Sequence, residues 1–135
     1  MALVSVGPWG GEGGSEWSYV FQGGLREIII DTAGGQYIKS IFIKPGSAPQ
    51  DGSYVRISLD WPREYLVRID GMHGRQWQGL EDIIRSLTFV TNMNTYGPYG
   101  TENQEDASFT IPIKSGKVVG FHGRSGDAVD AIGIH

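Results

Sequence analysis

The stretch "QGLEDIIRSLTFVT", residues 78–91, decides the fold. Its first ten residues are the chain's closest approach to a helical period. Yet the apolar pairs Ile83-Ile84 and Phe89-Val90 suit a strand better, because β-branched and aromatic residues favour a pleated, half-buried surface. If this segment is a strand, no helix is left to predict.

The runs on either side agree. "LVSV" (3–6), "LREIIIDT" (25–32), "YIKSIFIK" (37–44), "YVRISL" (54–59), "EYLVRID" (64–70), "SFTIPI" (108–113), "KVVGFHG" (117–123) and "VDAIGIH" (129–135) recur at short intervals. In the fourth, Val55, Ile57 and Leu59 alternate with Arg56, Ser58 and Asp60, the period of a strand with one wet face. Turn signals separate the runs: Gly34-Gly35, Pro45-Gly46, Asp51-Gly52 and Ser115-Gly116. The sequence therefore predicts an all-β fold with hairpin or Greek-key connections.

With 135 residues the chain is expected to form one domain, 1–135, large enough for a real core. The 21 glycines cluster between apolar runs without a Gly-X-Y period, which excludes collagen. Cysteine is absent, so neither a disulfide nor a thiolate metal site can form. A net charge of −4 with scattered basic residues argues against binding a phosphate backbone. The apolar start is too short for a signal-peptide core or a membrane span. No Asn-X-Ser/Thr acceptor occurs. The expectation from these features is a cytoplasmic or nucleocytoplasmic protein with no membrane insertion. A faint internal echo links "GPWG" (7–10), "GPYG" (97–100) and "GFHG" (120–123), as repeated strand-plus-loop units would.

Candidate chemistry gathers in "GRSGDAVDAIGIH", residues 123–135. A glycine turn can present successive N–H donors, and an acid beside them adds a fixed acceptor. Sugar hydroxyls both donate and accept, so donors plus one carboxylate suit them. An Asp in a turn more often caps its own backbone, and the residues alone leave both readings open. In "GPWGGEGG" (7–14), Gly10, Gly11, Gly13 and Gly14 leave bare backbone that lets a ligand approach closely, or simply a mobile turn. The segment lacks the GK[ST] ending and following helix of a phosphate cradle.

Other chemistries find little support. His73, His122 and His135 show no metal-ligand spacing, and "ENQED" (102–106) lacks the EF-hand pattern. There is no GxSxG nucleophile elbow. A glycosidase needs two carboxyls facing each other across the sugar, whereas Asp127 and Asp130 share one loop. No metal, cofactor or catalytic residue is assigned.

Taken in order, "GPWGGEGG", "RSLTFVTNMNTYGPYG" (85–100), "FTIPI" (109–113) and "VVGFHGRSGDAVDAIGIH" (118–135) resemble the jacalin-related lectins of mannose/glucose type. The resemblance runs along almost the whole chain. It implies a β-prism of three four-stranded Greek-key sheets with pseudo-threefold symmetry, and metal-independent carbohydrate binding. The family's G-x-x-x-D site falls on Gly126, Asp127, Ala128, Val129 and Asp130. The resemblance gives backbone N–H contacts to Asp127 and Ala128, and hydroxyl contacts to the Asp130 side chain. It places the Gly14 N–H on a further hydroxyl. A third loop, around Leu80 to Asp82, rims the site in the family, but no motif fixes its residues here.

Two details bear on specificity. Galactose-binding members resemble a form cut after the first strand, whereas Met1 to Gly14 is continuous here, as in mannose/glucose binders. Some members carry a second G-x-x-x-D; the matching "GGQYI" (34–38) ends in Ile38, which accepts no hydrogen bond. Mannose/glucose-containing glycans are thus the expected partners, bound by a homodimer or homotetramer. A protein interaction or assembly domain on the same fold is the alternative, and a glycan-active enzyme is a distant third.

Overall fold

The computed structural model describes residues 6–20, 24–43, 54–75, 82–102, 105–113, 120–126 and 128–135. Eleven strands are found there: β1 (Val6–Gly10), β2 (Ser15–Val20), β3 (Glu27–Asp31), β4 (Ser40–Phe42), β5 (Val55–Ser58), β6 (Leu66–Arg75), β7 (Asp82–Thr91), β8 (Thr95–Gly100), β9 (Ala107–Pro112), β10 (Gly120–Ser125) and β11 (Val129–Ile134). All pairings are antiparallel, and the described residues contain no helix. The all-β expectation holds.

The strands form three sheets, ordered β1-β11-β10-β2, β4-β3-β5 and β8-β7-β6-β9. In the third, three consecutive strands run side by side and the fourth returns beside the first, which is a Greek key. The first sheet has the same order if β10, β11, β1 and β2 are counted in turn, so the chain ends interrupt it. In the second, β5 likewise returns beside β3; three strands lie among its described residues. One rule thus builds all three sheets, as the pseudo-threefold prism requires.

The sheets share one core. The second contributes Ile28, Ile30 and Ile57, the third Ile69, Leu87, Phe89 and Ile111, and the first Phe121, Val129 and Ile132. Residues of this kind each gain about 1.5–3 kcal/mol on leaving water, so a single shared interior holds the three sheets together.

The near-helical look of 78–91 has a structural cause. Ile84 and Leu87 are both fully buried although three residues apart, a spacing that a regular strand cannot bring to one face. The register of β6 with β7 slips between Met72↔Ser86 and His73↔Ile84, leaving Arg85 as the extra residue of a β-bulge. Arg85 pairs with Asp106 at 3.8 Å, both side chains almost wholly buried. The bulge resets the alternation, and the apolar residues fall at helical spacing without a helix.

The echo between "GPWG" and "GPYG" is genuine. These are β1 and β8, the same edge position in two sheets, with positive φ at Gly7 and Gly10 and again at Gly97 and Gly100. Residues 7–10 are therefore strand rather than loop, and the loop proper is 11–14. "GFHG" does not share the position: it opens β10, an inner strand. There a Cβ on Gly123 would overlap the carbonyl of Ala131 on the neighbouring strand.

Candidate functional site

The hairpins β3–β4, β6–β7 and β10–β11 occupy equivalent places in the three sheets, and their turn ends meet at one end of the molecule. Ile38, after the first turn, donates its N–H to Ile84 O at 3.1 Å and accepts from Val129 N–H at 3.0 Å. The 11–14 loop lies at this same end. Gly11 N–H bonds Asp130 O at 2.8 Å, and a Cβ on Gly11 would overlap the carbonyl of Asp82 at the start of β7.

Residues distant in sequence are brought together here. Gly14, at φ +67°, sits directly over Asp130: a Cβ at Gly14 would stand 2.7 Å from Asp130 Oδ2 and would overlap the Ser125 carbonyl. A Cβ at Gly126 would lie 3.4 Å from the Gly14 Cα. The 126–128 turn is closed by Gly126 N–H to Ala128 O at 2.9 Å. Both glycines are exposed, whereas Asp130 is 2% exposed. The result is a bare backbone surface with a carboxylate recessed behind it, able to accept a hydrogen bond from a small polar ligand that also meets backbone N–H groups.

The remaining sequence-predicted residues divide. Val129 is 1% exposed and belongs to the core, so it anchors the loop and presents no side chain outward. Ala128 is buried beside it. Asp127, and Leu80 and Glu81 of the third loop, lie outside the described residues. Asp82 does border the 11–14 loop, and His73 Nδ1 holds its carboxylate at 2.9 and 3.0 Å.

Sequence reasoning passed over Arg124, although it lies in the stretch that drew attention to the site. Its Nε donates to the carbonyls of Glu12 and Gly13, both at 3.1 Å, and Nη2 donates to Gly14 O at 2.9 Å. Nη1 reaches Glu16 Oε1 at 3.4 Å. The available signal was a lone guanidinium among glycines, in the same stretch as the candidate turn.

The other candidates have structural duties. Asp106 pairs with Arg85 in the bulge, and Glu102 accepts from Ser86 Oγ at 3.1 Å. The rings of His122 and His135 lie 4.7 Å apart between centroids, tilted by 35°, and His135 Nε2 lies 2.7 Å from Ser18 Oγ. Burial and the neighbouring His122 push the His135 imidazole below its usual range. Among the described residues, no three His, Asp or Glu side chains gather as a metal site would need.

Comparison with known proteins adds to this geometry. The model of the jacalin-like lectin domain matches residues 6–135. A mannose/glucose-specific lectin of Parkia platycephala is 44% identical over 97% of this chain, which spans only 31% of that protein's length. A galactose-specific lectin of Morus indica is 38% identical, covering 98% of this chain and 90% of its own. Among solved structures, a mannose-specific jacalin-related lectin from Morus nigra in complex with mannose superposes with a TM-score of 0.80 at 41% identity. It covers 98% of this chain and 92% of that one. An artocarpin–mannotriose complex gives 0.82 at 37%, covering 98% and 95%.

Proposed function

The chain belongs to the jacalin-like lectin family, and from that premise we propose that it binds mannose- and glucose-type glycans without a metal. The sugar would sit on the exposed glycine surface, taking N–H donors from Gly14, Asp127 and Ala128 and giving hydroxyl hydrogens to Asp130. The observation that carries this reading is the convergence of Gly14, Gly126 and Asp130 from opposite ends of the chain. A recessed carboxylate under two side-chain-free residues is costly to build for stability alone. It suits a ligand whose hydroxyls can both donate and accept.

Both mannose-specific and galactose-specific relatives lie at comparable identity, so overall likeness does not choose the sugar. The choice of mannose rests on the uncut connection from β1 to β2, which brings Gly14 over Asp130. Calorimetric titration with methyl mannoside and methyl galactoside, each with and without EDTA, tests it. We expect mannoside binding in the millimolar range, about −4 kcal/mol, unaffected by the chelator. Preference for galactoside, or loss of binding in EDTA, overturns the assignment.

So weak a site retains a glycan surface only when several act together. We therefore propose a homodimer or homotetramer, the symmetric solutions that multiply one site. Light scattering together with agglutination of mannan-coated particles checks this: a strict monomer that agglutinates fully contradicts it.

A further inference from the structure

We propose that Arg124 is the positioning residue that aims the Gly14 amide into the loop site, an inference that rests on the glycan-binding reading above. Arg124 lies in β10, fixed in register against Glu16 of β2 and Ala131 of β11. Its side chain is 29% exposed and turns along the 11–14 loop rather than out to solvent. There it meets the carbonyls of three successive residues, Glu12, Gly13 and Gly14, at 3.1, 3.1 and 2.9 Å.

The consequence follows from the geometry of the peptide bond. The Gly13 carbonyl and the Gly14 N–H belong to one planar unit, and in a trans peptide they point in opposite directions. With the carbonyl held on the Arg124 guanidinium, the Gly14 N–H is directed away from it. Two glycines in a row would otherwise sample many orientations. A ligand would then have to order them as it bound, at a cost to its affinity. The guanidinium does this ordering in advance. Its planar fork of N–H donors can reach several carbonyls at once, which a lysine ammonium, a point charge on a flexible stem, does not reproduce.

The test compares wild type with Arg124→Ala, Arg124→Gln and Arg124→Lys, by methyl mannoside titration and by the NMR order parameter of the Gly14 amide in the sugar-free protein. Arg124→Ala should weaken binding on the order of tenfold or more, by loss of preorganisation, and should lower the Gly14 order parameter while the melting temperature stays near wild type. Arg124→Lys should recover only part of the affinity. Glu16→Gln should bind as wild type, because Glu16 is 87% exposed and bonds the Nη1 edge rather than the loop. If Arg124→Ala does not fold, Arg124→Gln, which keeps one donor, carries the same expectation at smaller amplitude. Affinity within twofold of wild type in both Ala and Gln variants overturns the proposal, as does full recovery by Lys. Absence of mannoside binding in the wild type would instead refute the glycan-binding reading. The Gly14 order parameter, measured without sugar, would still decide whether Arg124 orders the loop.

Discussion

Gly14 lies so close over Asp130 that a Cβ at residue 14 would stand 2.7 Å from the Asp130 Oδ2. The carboxylate and the glycine have to be made for each other, although 115 residues separate them. Gly14→Ala should therefore fail twice. The backbone at φ +67° is costly for alanine, about 1–2 kcal/mol, and the new methyl displaces the acceptor.

A control separates these two effects. Gly34 has nearly the same φ, +71°, and a Cβ there would meet nothing within 4 Å. Gly14→Ala and Gly34→Ala should thus share the backbone penalty, and only the former should lose mannoside binding. Calorimetry of both unfolding and binding checks this. Equal binding in the two variants would place the sugar elsewhere.

Asp130→Asn keeps the volume of a side chain that is 2% exposed and removes its charge. Loss of a charged acceptor costs about 1.5–3 kcal/mol, enough to push a weak site below detection. Asp127→Ala should have a much smaller effect, since the backbone of residue 127 is the proposed contact. Parallel titrations compare the two, and an equal loss would show that both carboxylates hold the ligand.

One sugar should bind per chain. In the β3–β4 hairpin, Ile38 is wholly buried and bonded by its backbone to Ile84 and Val129, so it matches the core residue Val129 and not, as the sequence pattern suggests, Asp130. Ser40 pairs with Asp31 of β3 as Ala131 pairs with Arg124 of β10, so Lys39, which donates hydrogen bonds and accepts none, stands where the closing loop has Asp130. Titration that saturates at two mannosides per chain would contradict this reading.

The sequence made every inner strand legible but only some of the edges, β5 and β9 among them. β1, β2 and β8 went unread, and all three are edge strands. Two of them carry Gly-Pro, which an edge tolerates because one side of its ladder is unpaired. Strict alternation betrays a strand only when one face is buried and the other is wet, as in β5. At the candidate site, the glycine turn and its acids drew attention from the residues alone, but the roles proposed for Gly14, Gly126 and Asp130 came through resemblance, since backbone donors leave no side-chain pattern to detect. Arg124 was missed because an arginine that bonds carbonyls looks, in sequence, like any surface charge. The Arg85 bulge was equally invisible: one inserted residue changes the period without any residue type to mark it.

The last prediction concerns the opposite end of the molecule, beyond the far end of β7. Glu64 is 3% exposed, yet it is an ionised side chain. Its Oε2 accepts from Thr91 Oγ1 at 2.7 Å, Tyr96 Oη at 2.8 Å and Asn94 Nδ2 at 3.0 Å, and Oε1 accepts from Asp60 N–H at 3.2 Å. Burial alone would raise the carboxyl. The bonds from Asn94, Thr91, Tyr96 and Asp60 outweigh it and hold the group at about 2, against 4.5 in the unfolded chain. The native state therefore takes up this proton less readily than the unfolded state. The stabilisation is complete above about pH 4.5 and fades as the pH falls toward 2. Glu64→Gln keeps one carbonyl acceptor but turns an amide toward donors, so it should lose about 1–3 kcal/mol at pH 7, a melting temperature lower by roughly 5 to 15 °C. The gap between variant and wild type should narrow on acidification, because the wild type alone has this contribution to lose. Denaturant unfolding of both proteins between pH 7 and pH 2.5 measures it. A gap that stays constant across that range would show that Glu64 acts by packing rather than by its charge.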